Sequence, residues 1–263
     1  MNKITIIALV ALLSTKIVAQ QAYNTIQKVT WDPVNSYITA GIVTAIGTIV
    51  STKYPVEITP QIGPSINWFR YNQKAYEELY SNIPDINIQF GHIWGYSAGA
   101  LISTINSGIN VKSGLFIESK GRSYSSQFLI IQNEYDGNQS KIWFVSKGYS
   151  RQNYITIPLM IGIQTDGTKT TLSLDLGGFL SLPISEYHTS TTNGIQSVLE
   201  PLQTIGVDAG LIADIGIKIP ISERISFRTD LRHAIGQIDN QKLAFGAYTQ
   251  STQLIFGISI RQN

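Results

Sequence analysis

Along most of the chain apolar and polar side chains alternate with a period of two, as in strands whose two faces meet different surroundings. In the run around 171–182, Leu172, Leu174, Leu176, Leu180 and Leu182 share one face, and Thr171, Ser173, Asp175, Gly177 and Ser181 share the other. In 205–219, Ile205, Val207, Ala209, Leu211, Ala213, Ile215, Ile217 and Ile219 oppose Gly206, Asp208, Gly210, Asp214, Gly216 and Lys218, and Ile212 alone breaks the rule. In 225–232, Ile225, Phe227 and Leu231 oppose Ser226, Arg228, Asp230 and Arg232. One parity of each run is greasy and free of charge; the other holds glycine beside ionised groups.

Eight such runs are read, at 56–70, 95–106, 109–120, 150–164, 170–182, 204–219, 225–236 and 251–261. Their connections alternate in length. Segment 71–94 is long, Ser107-Gly108 is tight, 121–149 is long and Asp166-Gly167 is tight. Segment 183–203 is long again, Pro220 to Arg224 is short and 237–250 is long. Within 121–149, apolar stretches at Phe128 to Ile131 and Ile142 to Val145 flank Asp136-Gly137, which predicts a hairpin continuing two strands beyond the others. About 9–11 tilted residues carry a β-strand across a bilayer, and every run meets that length. The pattern therefore predicts an all-β fold: an eight-stranded antiparallel up-and-down transmembrane β-barrel with short periplasmic turns and long extracellular loops.

The start of the chain reads differently. Lys3, the apolar run Ile4 to Leu13 and the small Ala19 predict a signal peptide over 1–19 and export to the cell outer membrane. An N-terminal segment follows over 20–55, where Ile38, Ile42, Ile46, Ile49 and Val50 stand at helical spacing, although an extra strand is nearly as well supported. The barrel domain then spans 56–263. No later stretch offers the ~18 unbroken apolar residues of a spanning helix. Charged residues make up 14% of the chain against 43% hydrophobic, which sets disorder aside and is lean in charge for a soluble enzyme. The net charge of +2 implies no polyanion tail, and the absence of cysteine excludes a disulfide framework.

Several segments resemble the porin-family or PorT-like outer-membrane β-barrel domain found in Bacteroidetes-type bacteria. They are Gly95-Tyr96-Ser97-Ala98-Gly99, then Gly114-Leu115-Phe116-Ile117-Glu118-Ser119-Lys120-Gly121, then Tyr154-Ile155-Thr156-Ile157-Pro158-Leu159. Gly206-Val207-Asp208-Ala209-Gly210 and Leu231-Arg232-His233-Ala234-Ile235-Gly236 follow in order, so that the resemblance runs from about Val56 to Arg261. It implies an eight-stranded outer-membrane barrel without shared catalytic residues. Such barrels often end on an aromatic residue; here the last residues are Ile260-Arg261-Gln262-Asn263, and Phe256 is the candidate substitute.

The inward parity collects Lys112, Glu118, Lys120, Asp175, Asp208, Asp214, Lys218, Arg228, Asp230 and Arg232. Eight strands leave an interior just wide enough for side chains, so a paired plug of the lumen is expected. A second set, Trp68, Phe69, Tyr71, Trp94, Tyr96, Tyr149 and Tyr154, stands where strands meet long loops and predicts an aromatic rim at the membrane surface. Tyr76, Tyr80, Tyr124, Tyr135, Trp143 and Tyr187 are candidates for exposed loops.

Catalysis would need a base beside a nucleophile. His92, His188 and His233 are the possible bases, yet His233 has Ala234 and Ile235 as neighbours, and His188 falls in a polar stretch typical of a solvated loop. No enzyme, cofactor, metal or nucleic-acid partner is expected. The expected partners are outer-membrane lipid and lipopolysaccharide, with an envelope or secretion-system protein as a further candidate, met by a monomer. Two alternatives stay open: a soluble lipocalin-like ligand carrier and a small-solute channel.

Overall fold

The computed structural model describes residues 55–71, 87–104, 108–133, 139–165, 170–193, 195–199, 206–237 and 247–262. The expected signal peptide and all of the segment 20–55 but its last residue lie outside them, as do the Asp166-Gly167 turn and Tyr76, Tyr80 and Tyr135.

Among the described residues ten strands follow one another: β1 (Val56–Tyr71), β2 (Asn87–Gly91), β3 (Ile93–Thr104), β4 (Ile109–Asn133), β5 (Gln139–Gln164), β6 (Thr171–Thr192), β7 (Ile195–Leu199), β8 (Asp208–Pro220), β9 (Ile225–Gly236) and β10 (Ala247–Gln262). Eight of them form a ring in the order β1, β3, β4, β5, β6, β8, β9, β10, each antiparallel to its neighbours, with β10 pairing back onto β1. Closure removes the free edges, so the backbone groups of the ring are paired within the protein. All eight runs read from the sequence are staves of this ring, several with shifted ends.

Three of the expected loops are partly strand. β2 lies inside segment 71–94 and pairs with β4 from Asn87↔Gln127 to Gly91↔Ser123. The hairpin expected within 121–149 is present, since β4 and β5 stay paired out to Asn133↔Gln139. β6 continues through 183–192, and β7 pairs with its end from His188↔Leu199 to Thr192↔Ile195. At ~3.3 Å per residue, β9 with 12 residues is about 40 Å long and β5 with 26 is about 85 Å. One side of the barrel therefore rises well above the other as a five-stranded wall in the order β2, β4, β5, β6, β7.

The greasy parity points outward. Leu172, Leu174, Leu176, Leu211, Ile215, Ile217, Leu231 and Leu254 are all exposed, whereas Asp175, Asp208, Asp214 and Asp230 are each 0% exposed. Leu180 departs from its neighbours on the leucine face and is covered. This arrangement inverts that of a water-soluble carrier, which keeps its aliphatic face inside. At the end with short connections Gly108 takes φ +82°, a left-handed turn conformation that glycine adopts without steric cost.

Candidate functional site

Period-two alternation sends alternate side chains of each stave into the lumen, and the inward glycines decide how much space the larger ones receive. A Cβ on Gly216 would lie 2.4 Å from Asp230 Oδ1 and 2.7 Å from Arg228 Nη2. A Cβ on Gly162 would lie 2.2 Å from Asp175 Oδ1. Glycine at these two positions leaves room for ion pairs to cross the barrel.

The network begins near the short-turn end, where Lys218 Nζ meets Glu57 Oε2 at 3.0 Å. Above it, on β9, Arg228 grips Asp230 in a fork, with Nε 2.7 Å from Oδ2 and Nη2 2.6 Å from Oδ1. Gln61 of β1 donates to the same carboxylate at 2.5 Å. Lys112 of β4 reaches across to pair with Asp175 of β6 and donates to Ser173 Oγ at 3.2 Å. Arg232 Nε donates to Asp214 Oδ2 at 3.0 Å, and its guanidinium lies 4.8 Å from the Phe116 ring centroid. Toward the long-loop end Lys120 bridges Asp208 at 3.0 Å and Glu118 at 3.5 Å, with the Phe179 ring 4.5 Å from its ammonium. Glu118 also accepts from Gln253 at 2.9 Å and from Thr156 at 2.8 Å, and Thr249 donates to Asp208 at 2.6 Å.

All ten charged residues read onto the inward parity thus engage in ion pairs with one another or with Glu57, the acidic partner that the sequence reading did not name. Nine are buried; Lys218, at the end, keeps 15% of its side chain exposed. The lumen also holds an apolar layer, formed by Leu101, Phe116, Met160, Phe179, Ile212 and Ala234. Ile212, the exception to its strand's alternation, was the visible sign of it. An isolated apolar side chain on a polar parity marks a place where the interior is packed and dry.

The aromatic set divides. Trp94, Tyr96 and Tyr149 are exposed on the outer surface, and Trp68 donates its indole N–H to Gln250 Oε1 at 2.9 Å on the same outward parity. Phe69 and Tyr154, expected in the rim, are instead inside. Phe69 is buried with the Arg122 guanidinium 5.2 Å from its ring, and Tyr154 is 0% exposed and donates to Gln152 Oε1 at 2.6 Å. Both stand on the inward parity of their strands, and parity prevails over nearness to a loop. The side chain of Tyr71 lies outside the described residues.

Among the loop candidates, Trp143 and Tyr187 are exposed, but on strands β5 and β6. Tyr124 points inward from β4 and stacks on His188 with ring centroids 5.6 Å apart. His188 itself lies on a strand because β6 carries a bulge: the register with β5 shifts between Asn153↔Ser185 and Tyr154↔Pro183. One inserted residue reverses the parity beyond it, turning Glu186 and His188 inward and Tyr187 outward.

Two of the histidines meet hydroxyl groups through their rings. His188 meets the Tyr124 hydroxyl at 3.2 Å. His233, on the outer surface, is held between Thr252 Oγ1 at 2.9 Å and Gln250 Nε2 at 3.2 Å, and the backbone carbonyl of His92 accepts from Ser123. Among the described residues, no three His, Asp or Glu side chains are placed to hold a metal ion.

Residues 53–240 match the family described as outer membrane protein beta-barrel domain. No curated protein matches the chain. Among solved structures it is similar to Ail, the attachment invasion locus protein of Yersinia pestis, at 8% identity over 79% of this chain and 99% of that one, with a TM-score of 0.35. It is also similar to Neisserial surface protein A, at 11% identity over 77% and 96% of the two chains with a TM-score of 0.34. A third is the outer membrane protease OmpT of Escherichia coli, at 6% identity over 81% and 98%, with a TM-score of 0.27. With the family match covering most of a closed antiparallel ring that turns its aliphatic face outward, this chain belongs to the outer membrane protein β-barrel domain family.

Proposed function

We propose that this barrel is a non-conducting, non-enzymatic component of the outer membrane, exported by a cleaved signal peptide, that meets its partners with the raised wall of β2 and β4 to β7. A PorT-like role in binding, scaffolding or secretion follows from that reading. The observation that carries it is the cross-linked lumen. Cations on β4, β8 and β9 reach carboxylates on other staves at several heights, over an apolar layer that includes Phe116, Phe179 and Met160. A solute crossing this interior would have to separate buried pairs and strip them of partners, at a cost of several kcal/mol each. Specificity is then left to the outer surface, as loops and extensions on a rigid scaffold usually carry it.

One observation favours a second reading, a narrow path for water or protons. Asp175, Asp208 and Asp214 each bury one carboxylate oxygen that no protein group bonds. Proteoliposomes holding a pH-sensitive dye separate the two: a sealed lumen passes no protons down an imposed pH gradient, and a path for water or protons does. Purified protein reconstituted into planar bilayers at 1 M salt is expected to give no steady conductance, and reproducible channel events in protein that runs as folded barrel would overturn the sealed lumen. Monodisperse behaviour without detergent would contradict membrane embedding itself.

A further inference from the structure

The outward face of the raised wall has an uneven chemistry. On β5, Lys147, Tyr149 and Arg151 stand at alternate positions, so their Cα atoms are separated by about 7 Å steps and the two cations by about 13 Å. Register places Tyr187 of β6 directly opposite Arg151, and the Tyr149 and Tyr187 rings lie 6.0 Å apart at 40°. Both tyrosines, Lys147 and Arg151 are exposed. Arg151 is steadied by donating from Nη2 to the Trp94 carbonyl at 3.3 Å, next to the outward Trp94 and Tyr96. The neighbouring outward positions are Ser123, Ser125 and Gln127 on β4, Asn153 on β5, and Ser185 and Thr191 on β6. No Asp or Glu stands among them; the one acid nearby, Glu186, points into the lumen, where Ser150 and Gln152 donate to it at 3.3 Å.

Two cations flanking a tyrosine pair, with hydroxyls around them and no competing carboxylate, suit a ligand that alternates anionic groups with flat-faced rings bearing hydroxyls. Phosphorylated sugars have that chemistry. The direction of the face selects their source. It looks sideways from the barrel wall, level with and just above the aromatic residues that mark the lipid headgroup zone, so what lies against it is the outer leaflet. We propose that Lys147, Tyr149, Arg151 and Tyr187 form a binding site for the phosphorylated saccharide headgroup of an outer-leaflet glycolipid. Lys147 and Arg151 take phosphate oxygens, Arg151 through its planar fork, and the two rings carry the sugar faces. The site depends on membrane embedding alone and not on the sealed lumen.

The test is retention of lipid by purified protein in mild detergent, read by native mass spectrometry during titration with diphosphoryl lipid A. Wild type is expected to hold one lipid A, with affinity at least tenfold lower for the dephosphorylated form. Lys147→Gln with Arg151→Gln is expected to reduce affinity at least tenfold while leaving the heat-dependent gel mobility of the folded barrel unchanged. Tyr149→Ser with Tyr187→Ser should reduce it less and should preserve the discrimination by phosphate. Inorganic phosphate at millimolar concentration should compete weakly. Equal binding by the glutamine variant, indifference to the lipid phosphates, or a preference for a soluble acidic oligosaccharide over lipid A would each overturn the proposal.

Discussion

Asp230→Ala is expected to destabilise the barrel by about 3–5 kcal/mol in guanidinium unfolding from detergent micelles, followed by tryptophan fluorescence. The carboxylate receives the Arg228 fork and the Gln61 amide, and it is fully buried. Removing it strands a buried guanidinium, whose remaining hydrogen bond among the described residues is to Ser173 Oγ at 3.3 Å. The loss is therefore dominated by the uncompensated charge and only secondarily by the vanished bond. A second variant separates the two. Replacing the pair together, Arg228→Leu with Asp230→Leu, removes both charges and is expected to recover at least half of the loss, since a buried pair contributes little net stability against an apolar replacement. If the double variant is as unstable as the single one, the pair is contributing attraction and the lumen is wetter than its burial implies.

The outer face responds to charge with the opposite logic. Leu231 stands at the middle of β9, half exposed, with Leu254 of β10 and Ile215 of β8 beside it in register. Leu231→Arg is expected to cost about 2–4 kcal/mol, because the guanidinium would have to enter hydrocarbon at the bilayer midplane. Ile225→Arg, at the strand's end and similarly exposed, is expected to cost about 1 kcal/mol or less, since there the side chain reaches the headgroups. The ratio between the two carries the information: equal costs in the same micelle would mean that β9 does not cross an apolar slab.

These outcomes rest on a feature that the sequence displays openly. A period of two with one parity free of charge locates the staves, their orientation and the inward cations and carboxylates, and in β9 the residue order alone sets Arg228, Asp230 and Arg232 on one face. Alternation is legible because a one-residue slip would send each charge into lipid. What failed to show has equally physical grounds. The outer parts of β4, β5 and β6 lie beyond the hydrocarbon, where both faces meet polar surroundings, so Ser123 to Gln127 and Ser185 to Thr192 carry no hydrophobic rhythm and read as loop. The bulge beside Pro183 shifted the parity of everything after it and hid the inward turn of His188. Phe69 and Tyr154 stand near connections and also on the inward positions of their strands, and it is the parity that decides where an aromatic ring goes. The choice of partners within the lumen was out of reach, since which ammonium meets which carboxylate depends on the stagger between staves distant in sequence, as for Lys120 and Asp208 or Lys218 and Glu57.

The chain contains no cysteine, so single-cysteine variants report on one position each. The most direct measurement is nitroxide accessibility in reconstituted bilayers at Leu254→Cys and Phe256→Cys, which point outward, against Ser251→Cys and Ser259→Cys, which point inward and are buried. Labels at 254 and 256 should relax strongly with lipid-dissolved oxygen and hardly at all with a water-soluble nickel chelate. Positions 251 and 259 should resist labelling or remain inaccessible to both quenchers. Oxygen access at the serine positions with protection at 254 and 256, or chelate access along the inward row, would contradict a sealed, charge-paired lumen inside a lipid-facing aliphatic wall.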